Sequence, residues 1–156
     1  MLKNINIISV VIISFLVVSC GYKKIARDQS LFHFQNISIA GEDRISYLLK
    51  DQINLISNKD ATDKYDVTIA LEANKRIKII NKKGRVTRYT LDINANLSLK
   101  NNNNNKIISK TFSQNSDFDV SSIHSETINN ENVITKIIIQ QLGDEILNFI
   151  TFSYKN

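Results

Sequence analysis

Two stretches of alternating hydrophobicity constrain this chain more than anything else in it. In "YDVTIALEANKRIKIIN" Val67, Ile69, Leu71, Ala73, Ile77 and Ile79 share one parity, and in "RYTLDINANLSLK" Tyr89, Leu91, Ile93, Ala95, Leu97 and Leu99 do the same. Successive side chains of a strand point to opposite faces, so each stretch predicts a long strand buried on one side. Ile77 and Ile79 are therefore expected to face the core, with Arg76 and Lys78 facing away. Gly84, in the intervening "NKKGRVT", supplies the turn of a hairpin.

A hairpin that is apolar on one face must be covered, and the flanking segments offer the cover. "EDRISYLLKDQINLIS" places Ile45, Leu48, Leu49, Ile53 and Ile56 at helical spacing, with Glu42 and Asp43 in the first turn, where the helix dipole favours negative charge. A second stripe, Ile134, Ile137, Ile138, Leu142, Ile146 and Phe149, predicts a closing helix. Its start is open, because "SSIHSETINNEN" offers several caps. Before the first helix, "QNISIAG" reads as a strand with Ile37 and Ile39 on one face, ended by Gly41. After the hairpin, the run Asn101 to Asn105 reads as a tolerant loop leading to "KIISKTF", a fourth strand with Ile108 and Phe112 on one face and Ile107 on the other. The order β-α-β-β-β-α predicts an α+β two-layer sandwich, with two helices packed on one face of a four-stranded, mostly antiparallel sheet.

The N-terminal end carries a different message. "INIISVVIISFLVVS" follows Lys3 and is shorter than the roughly 20 residues that span a bilayer, which fits a signal-peptide core. Val17, Val18 and Ser19 lead into Cys20, the sole cysteine, and resemble a bacterial lipobox. Residues 1–19 are thus expected to be removed as a lipoprotein signal peptide, with Cys20 becoming the first mature residue. Its sulfur would carry diacylglycerol as a thioether and its amine an acyl chain of the palmitate type. Gly21 in place of Asp favours the outer membrane over the inner one. Residues 20–34 would form a tether, 35–152 the folded domain and 153–156 a tail.

Catalytic patterns are not evident. The two histidines, His33 and His124, lack metal-ligand spacing and read as tether and loop residues. A lipidated Cys20 is neither nucleophile nor metal ligand. The chain has four glycines, and they form neither a nucleophile elbow nor a phosphate-cradling series. Asp117 and Asp119, separated by Phe118, read as a strand end or turn. No enzyme is expected, and no cofactor beyond the lipid on Cys20.

Charge placement is more informative. The whole chain carries +5, and removing Lys3 with the signal peptide leaves +4. Lys75, Arg76, Lys78, Lys82, Lys83, Arg85 and Arg88 put seven positives on the hairpin with no acid among them, so the rest of the mature chain sums to −3. Such a cluster suits phosphate groups, which Arg grips with two parallel hydrogen bonds. It is also what an exposed ribbon uses to protect its edge.

The segments "CGY", "ISIAGEDRISYLLKDQI", "INKKGRVTRYTLDINANLSL", "SKTF" and "QQLGDEILNFI" together resemble the lipopolysaccharide-assembly lipoprotein family LptE of the Gram-negative outer membrane. The Gly84 to Tyr89 spacing, followed by alternation, carries most of the likeness. No proline follows "CGY", and no second basic residue appears in "SSIHSETINN". The resemblance implies a non-enzymatic protein on the periplasmic side of the outer membrane, anchored by lipid. It would sit inside the β-barrel LptD, assist assembly of that barrel and bind lipopolysaccharide during delivery to the outer leaflet. By the family pattern Lys82 would contact lipopolysaccharide, with Lys83, Arg85, Arg88, Arg76 and Lys78 as neighbours sharing the role. No nucleic acid is expected as a partner. The alternative is a structural accessory lipoprotein of another envelope complex, whose basic hairpin docks on an acidic protein.

Overall fold

The computed structural model describes residues 32–155 apart from Ile56. The expected signal peptide, Cys20 and the expected tether as far as residue 31 lie outside the described residues. Six elements follow in the order β1 (Phe32–Ala40), α1 (Asp43–Asn54), β2 (Asp63–Ile80), β3 (Val86–Asn101), β4 (Ile107–Asp119) and α2 (His124–Lys155). They make an α+β fold with a four-stranded mixed sheet in the order β1-β2-β3-β4. β1 runs parallel to β2, and the other neighbours are antiparallel. A parallel pair needs a crossover, which α1 supplies.

Alternation does what the sequence predicts on β3. Leu91, Ile93, Ala95, Leu97 and Leu99 are all buried, joined by Val67, Ile69 and Leu71 of β2 and by Phe112 and Phe118 of β4. Ile45, Leu49 and Ile53 of α1 close over them, as do Ile138, Ile139, Leu142, Ile146 and Ile150 of α2. The stripe on α2 is rotated from the expected one. Ile137 is exposed while Ile139 and Ile150 are buried. Neighbouring positions on a helix differ by about 100°, and two partners share this helix. Phe149 meets Phe112 of the sheet edge to face at 5.7 Å, while Gly143 lies against Gln52 and Leu49 of α1. A helix buried on two flanks hides residues that a single stripe leaves out.

Strand limits also shift. β1 begins at Phe32, so His33 and Phe34 belong to the sheet and Phe34 to its core. A register shift between Phe34 and Asn36 accommodates this start, and the Ser57 hydroxyl accepts a hydrogen bond from the Phe34 N–H at 3.0 Å and lies 3.3 Å from His33 Nδ1. β4 continues through Asp119, so Asp117 and Asp119 are strand residues. His124 opens α2. Asn101 to Asn105 form a specific turn: the Asn101 carboxamide oxygen accepts from the Asn103 and Asn104 N–H groups, and Asn105 takes φ 57°. Asparagine tolerates that left-handed conformation better than most residues.

The larger correction concerns the far end of β2. Ile77 and Ile79 are 56% and 43% exposed and do not enter the core. β1 stops pairing at Ala70, and although Ile77 keeps the parity of Leu71, it lies beyond the covered part of the sheet. Register shifts between Ile77 and Ile79, and again before Ile80, then break the alternation itself. A bulge adds one residue to one strand and so changes which face the next side chain takes.

Two glycines with positive φ should respond unequally to substitution. Gly41, at φ 144°, would place a Cβ 2.9 Å from Leu71 Cβ and 3.0 Å from the Leu71 carbonyl oxygen, whereas a Cβ on Gly84, at φ 75°, meets nothing within 4 Å. Gly41→Ala should cost about 2–3 kcal/mol through strain and contact, and Gly84→Ala about 1 kcal/mol through strain alone. Chemical denaturation of the two variants checks the order; equal costs would contradict the packing of Gly41 on β2.

Candidate functional site

The tip of the β2–β3 hairpin is held by one side chain. Asn81 Oδ1 accepts hydrogen bonds from the Lys83 N–H at 2.9 Å and the Arg85 N–H at 3.0 Å. The Gly84 N–H donates to the Asn81 carbonyl, and the Asn81 N–H to the Arg85 carbonyl. Gly84 closes the loop in a left-handed conformation that costs it little. Asn81 and Gly84 thus fix a short turn that carries Lys82, Lys83 and Arg85 outward, all exposed.

The seven hairpin cations fall into two groups. Four meet acids supplied by other elements. Arg76 forms a two-pronged pair with Asp92 of β3, at 2.6 and 2.8 Å. Lys78 pairs with Asp117 of β4, which also accepts from the Thr90 hydroxyl at 2.8 Å. Arg88 pairs with Asp119 at 2.7 Å, and Lys75 with Glu131 of α2 at 3.0 Å. The first three pairs sit on the sheet face turned away from the helices. There the register sets Arg88 opposite Asp119 and Thr90 opposite Asp117. Among the described residues Lys82, Lys83 and Arg85 have no ion pair.

This division changes the candidate set. Of the six cations expected to share a phosphate-binding role, Arg76, Lys78 and Arg88 are engaged within the sheet, and Lys82, Lys83 and Arg85 stand together at the tip. The acids that separate the two groups were hard to find from sequence, because none lies within the basic window. Their signal is cross-strand: once the hairpin and its neighbour are put in register, Asp92, Asp117 and Asp119 come beside Arg76, Lys78 and Arg88.

The pairs leave their mark on proton affinity. Hydrogen bonding from Arg76 holds the Asp92 carboxyl below its ordinary 3.8, and hydrogen bonds from Lys78 and then Thr90 do the same for Asp117. The partners Asp92 and Asp119 raise Arg76 and Arg88 above their ordinary value.

Toward the middle of β3 and β4 this outer face is uncharged and polar, with charge returning at Asp66 and Glu72 of β2 and at Lys100 of β3. Asn94, Asn96 and Ser98 of β3 run beside Ser109, Thr111, Ser113 and Asn115 of β4. Thr111 donates its hydroxyl proton to Asn96 Oδ1 at 2.8 Å. Among the described residues, no group of three or more His, Cys, Asp or Glu side chains could hold a metal ion, and no helix is long and apolar enough to cross a membrane.

Comparison with known proteins places this arrangement. Residues 32–150 match the LptE family, described as lipopolysaccharide-assembly. The chain belongs to this family. Solved structures share the LptE fold at low sequence identity. Rare lipoprotein B from Shewanella oneidensis superposes with a TM-score of 0.60 at 14% identity, covering 78% of this chain and 97% of that one. A putative lipoprotein from Caulobacter crescentus gives 0.55 at 15%, covering 81% and 92%. Lipoprotein B from Nitrosomonas europaea gives 0.52 at 16%, covering 82% and 90%. No curated protein sequence matches this LptE-family chain.

Acid should loosen the outer-face network. A carboxyl whose folded pKa is depressed stabilises the fold fully above its unfolded value and loses that contribution as pH falls through the folded value. Asp92 and Asp117 therefore contribute above about pH 4, and their contribution should disappear as the pH falls below it. Denaturation midpoints of wild type and the D92N/D117N double variant, followed from pH 6 to pH 2.5, should converge at the acid end. Curves that stay parallel would show that these pairs do not act on stability.

Proposed function

We propose that this protein is a non-enzymatic outer-membrane lipoprotein of lipopolysaccharide assembly, anchored through lipid on Cys20. It plugs and assists assembly of an LptD-type β-barrel, and binds lipopolysaccharide through Lys82, Lys83 and Arg85. Membership of the LptE family supports the role in assembly. The observation that carries the binding role is the charge division: four hairpin cations are matched by acids, and the three with no ion pair among the described residues share one hydrogen-bonded turn.

An exposed cation spends little energy meeting an external anion when it has no internal partner to leave. For Arg76 or Arg88 the same contact would first break a pair. The phosphates of lipopolysaccharide thus have three donors ready at the tip. Two guanidiniums and two ammonium groups behind them keep Asp92, Asp117, Asp119 and Glu131 from opposing the approach.

The outer sheet face supports the plug role. Barrels of the outer membrane present polar side chains to their lumen, and a face of Asn, Ser and Thr can exchange hydrogen bonds with such a wall. The diacylglycerol and the amine-linked acyl chain expected on Cys20 would hold the chain at the inner leaflet, since one chain binds only marginally and two already anchor stably.

Charge reversal separates the two groups of cations. K82E/K83E/R85E should lower affinity for purified lipopolysaccharide by at least about tenfold, a change of about 1.4 kcal/mol, with the denaturation midpoint unchanged. R76E/R88E should lower the denaturation midpoint, because it sets like charges against Asp92 and Asp119. Undiminished binding by the tip variant would overturn the binding role. A barrel-free complex with an acidic envelope protein, recovered from solubilised outer membranes, would overturn the plug role.

A further inference from the structure

We infer that the hairpin tip is a two-part site for an anionic amphiphile, in which Lys82, Lys83 and Arg85 hold phosphates and Ile77, Ile79 and Ile80 receive acyl chains. This rests on the phosphate-binding reading of the tip and extends it to the apolar part of the ligand. The three isoleucines lie within five residues of Lys82, and they are 56%, 43% and 55% exposed. Isolated exposed apolar residues are ordinary on a protein surface, but a cluster rimmed by polar groups marks a contact site.

Several features place the isoleucines where a ligand can reach them. β1 ends its pairing at Ala70, so among the described residues β2 has no strand neighbour on that side beyond this point. The register shifts around Lys78 and Thr87 interrupt the strict alternation, so apolar side chains are not confined to the helix-covered face of the ribbon. At about 3.3 Å per residue, the end of β2 at Ile80 stands roughly 10 Å along the strand from Ile77, and Lys82 lies in the turn just beyond it. A ligand with its charged head at the turn would therefore lay its apolar tail back along the ribbon toward the body of the domain. Charge complementarity commits the site to an anionic amphiphile, because the exposed isoleucines run directly into the turn that carries Lys82, Lys83 and Arg85, which have no ion pair among the described residues. An edge-adding strand from a protein would also cover Ile77 to Ile80, but it would leave the three cations unmatched.

The test uses intact lipopolysaccharide and the same material stripped of its acyl chains with alkali, which keeps the phosphates. Binding of both is measured for wild type, for I77T/I79T/I80T and for K82E/K83E/R85E. Threonine keeps the β-branched shape that suits a strand, and circular dichroism with thermal melting confirms that each variant is folded. Wild type should bind the intact form at least about tenfold more tightly than the stripped form. The isoleucine variant should lose most of that preference while binding the stripped form as wild type does. The charge variant should lose affinity for both. Equal affinity of wild type for the two forms, or an unchanged preference in the isoleucine variant, would overturn the apolar half and leave the phosphate reading standing. Full binding of both forms by the charge variant would overturn the phosphate reading itself. If the isoleucine variant keeps its preference but no longer recovers the barrel from membranes, the cluster is a protein contact and the inference fails.

Discussion

One-sided burial of the central strand β3 is the constraint from which the rest follows. Leu91, Ile93, Ala95, Leu97 and Leu99 occupy alternate positions and are all buried under the helices, while Thr90, Asp92, Asn94, Asn96 and Ser98 take the other face. Burial of an aliphatic side chain of this size contributes roughly 1.5–3 kcal/mol. A slip of one residue would send all five into water and bring polar groups inward, so the register is strongly fixed. That register places Arg88 beside Asp119 and Thr90 beside Asp117. The charge pattern of the outer face is thus set by packing on the inner one.

The proposed binding role depends on where that constraint ends. Near the body of the domain, two helices cover one face and a polar lattice fills the other. Past Ala70 of β2 the cover thins, the alternation breaks and isoleucine is exposed. At the turn only Asn81 and Gly84 enforce shape, and the cations there have no partner among the described residues. A chain selected only for stability has little reason to put unbalanced charge beside exposed isoleucine. The proposed binding of an anionic glycolipid would use both properties at the end of the ribbon.

Much of this was legible in the residues. The element order, the buried faces of α1 and β3 and the tip location follow from periodicity and a single glycine. What escaped has identifiable causes. Ile77 and Ile79 continue a parity that is real locally, but parity cannot reveal that no element covers that end, and Lys78 adds a bulge that ends it. Helical spacing puts Ile137 on a single stripe, because the sequence does not show that α2 meets both the sheet and α1. Phe34 looked like tether because its strand starts with an irregularity bridged by Ser57. The pairing of Arg76, Lys78 and Arg88 needed three strands in register, whereas the basic window taken alone shows only positive charge.

The most direct measurement of the central claim is contact mapping in living cells with a photoreactive residue introduced singly on each surface. In place of Lys83 it should yield adducts with lipopolysaccharide, and in place of Asn115, on the polar sheet face, adducts with the β-barrel protein. Protein adducts alone from position 83, with lipopolysaccharide adducts arising from position 115, would contradict the assignment of the tip to the glycolipid and of the sheet face to the barrel wall.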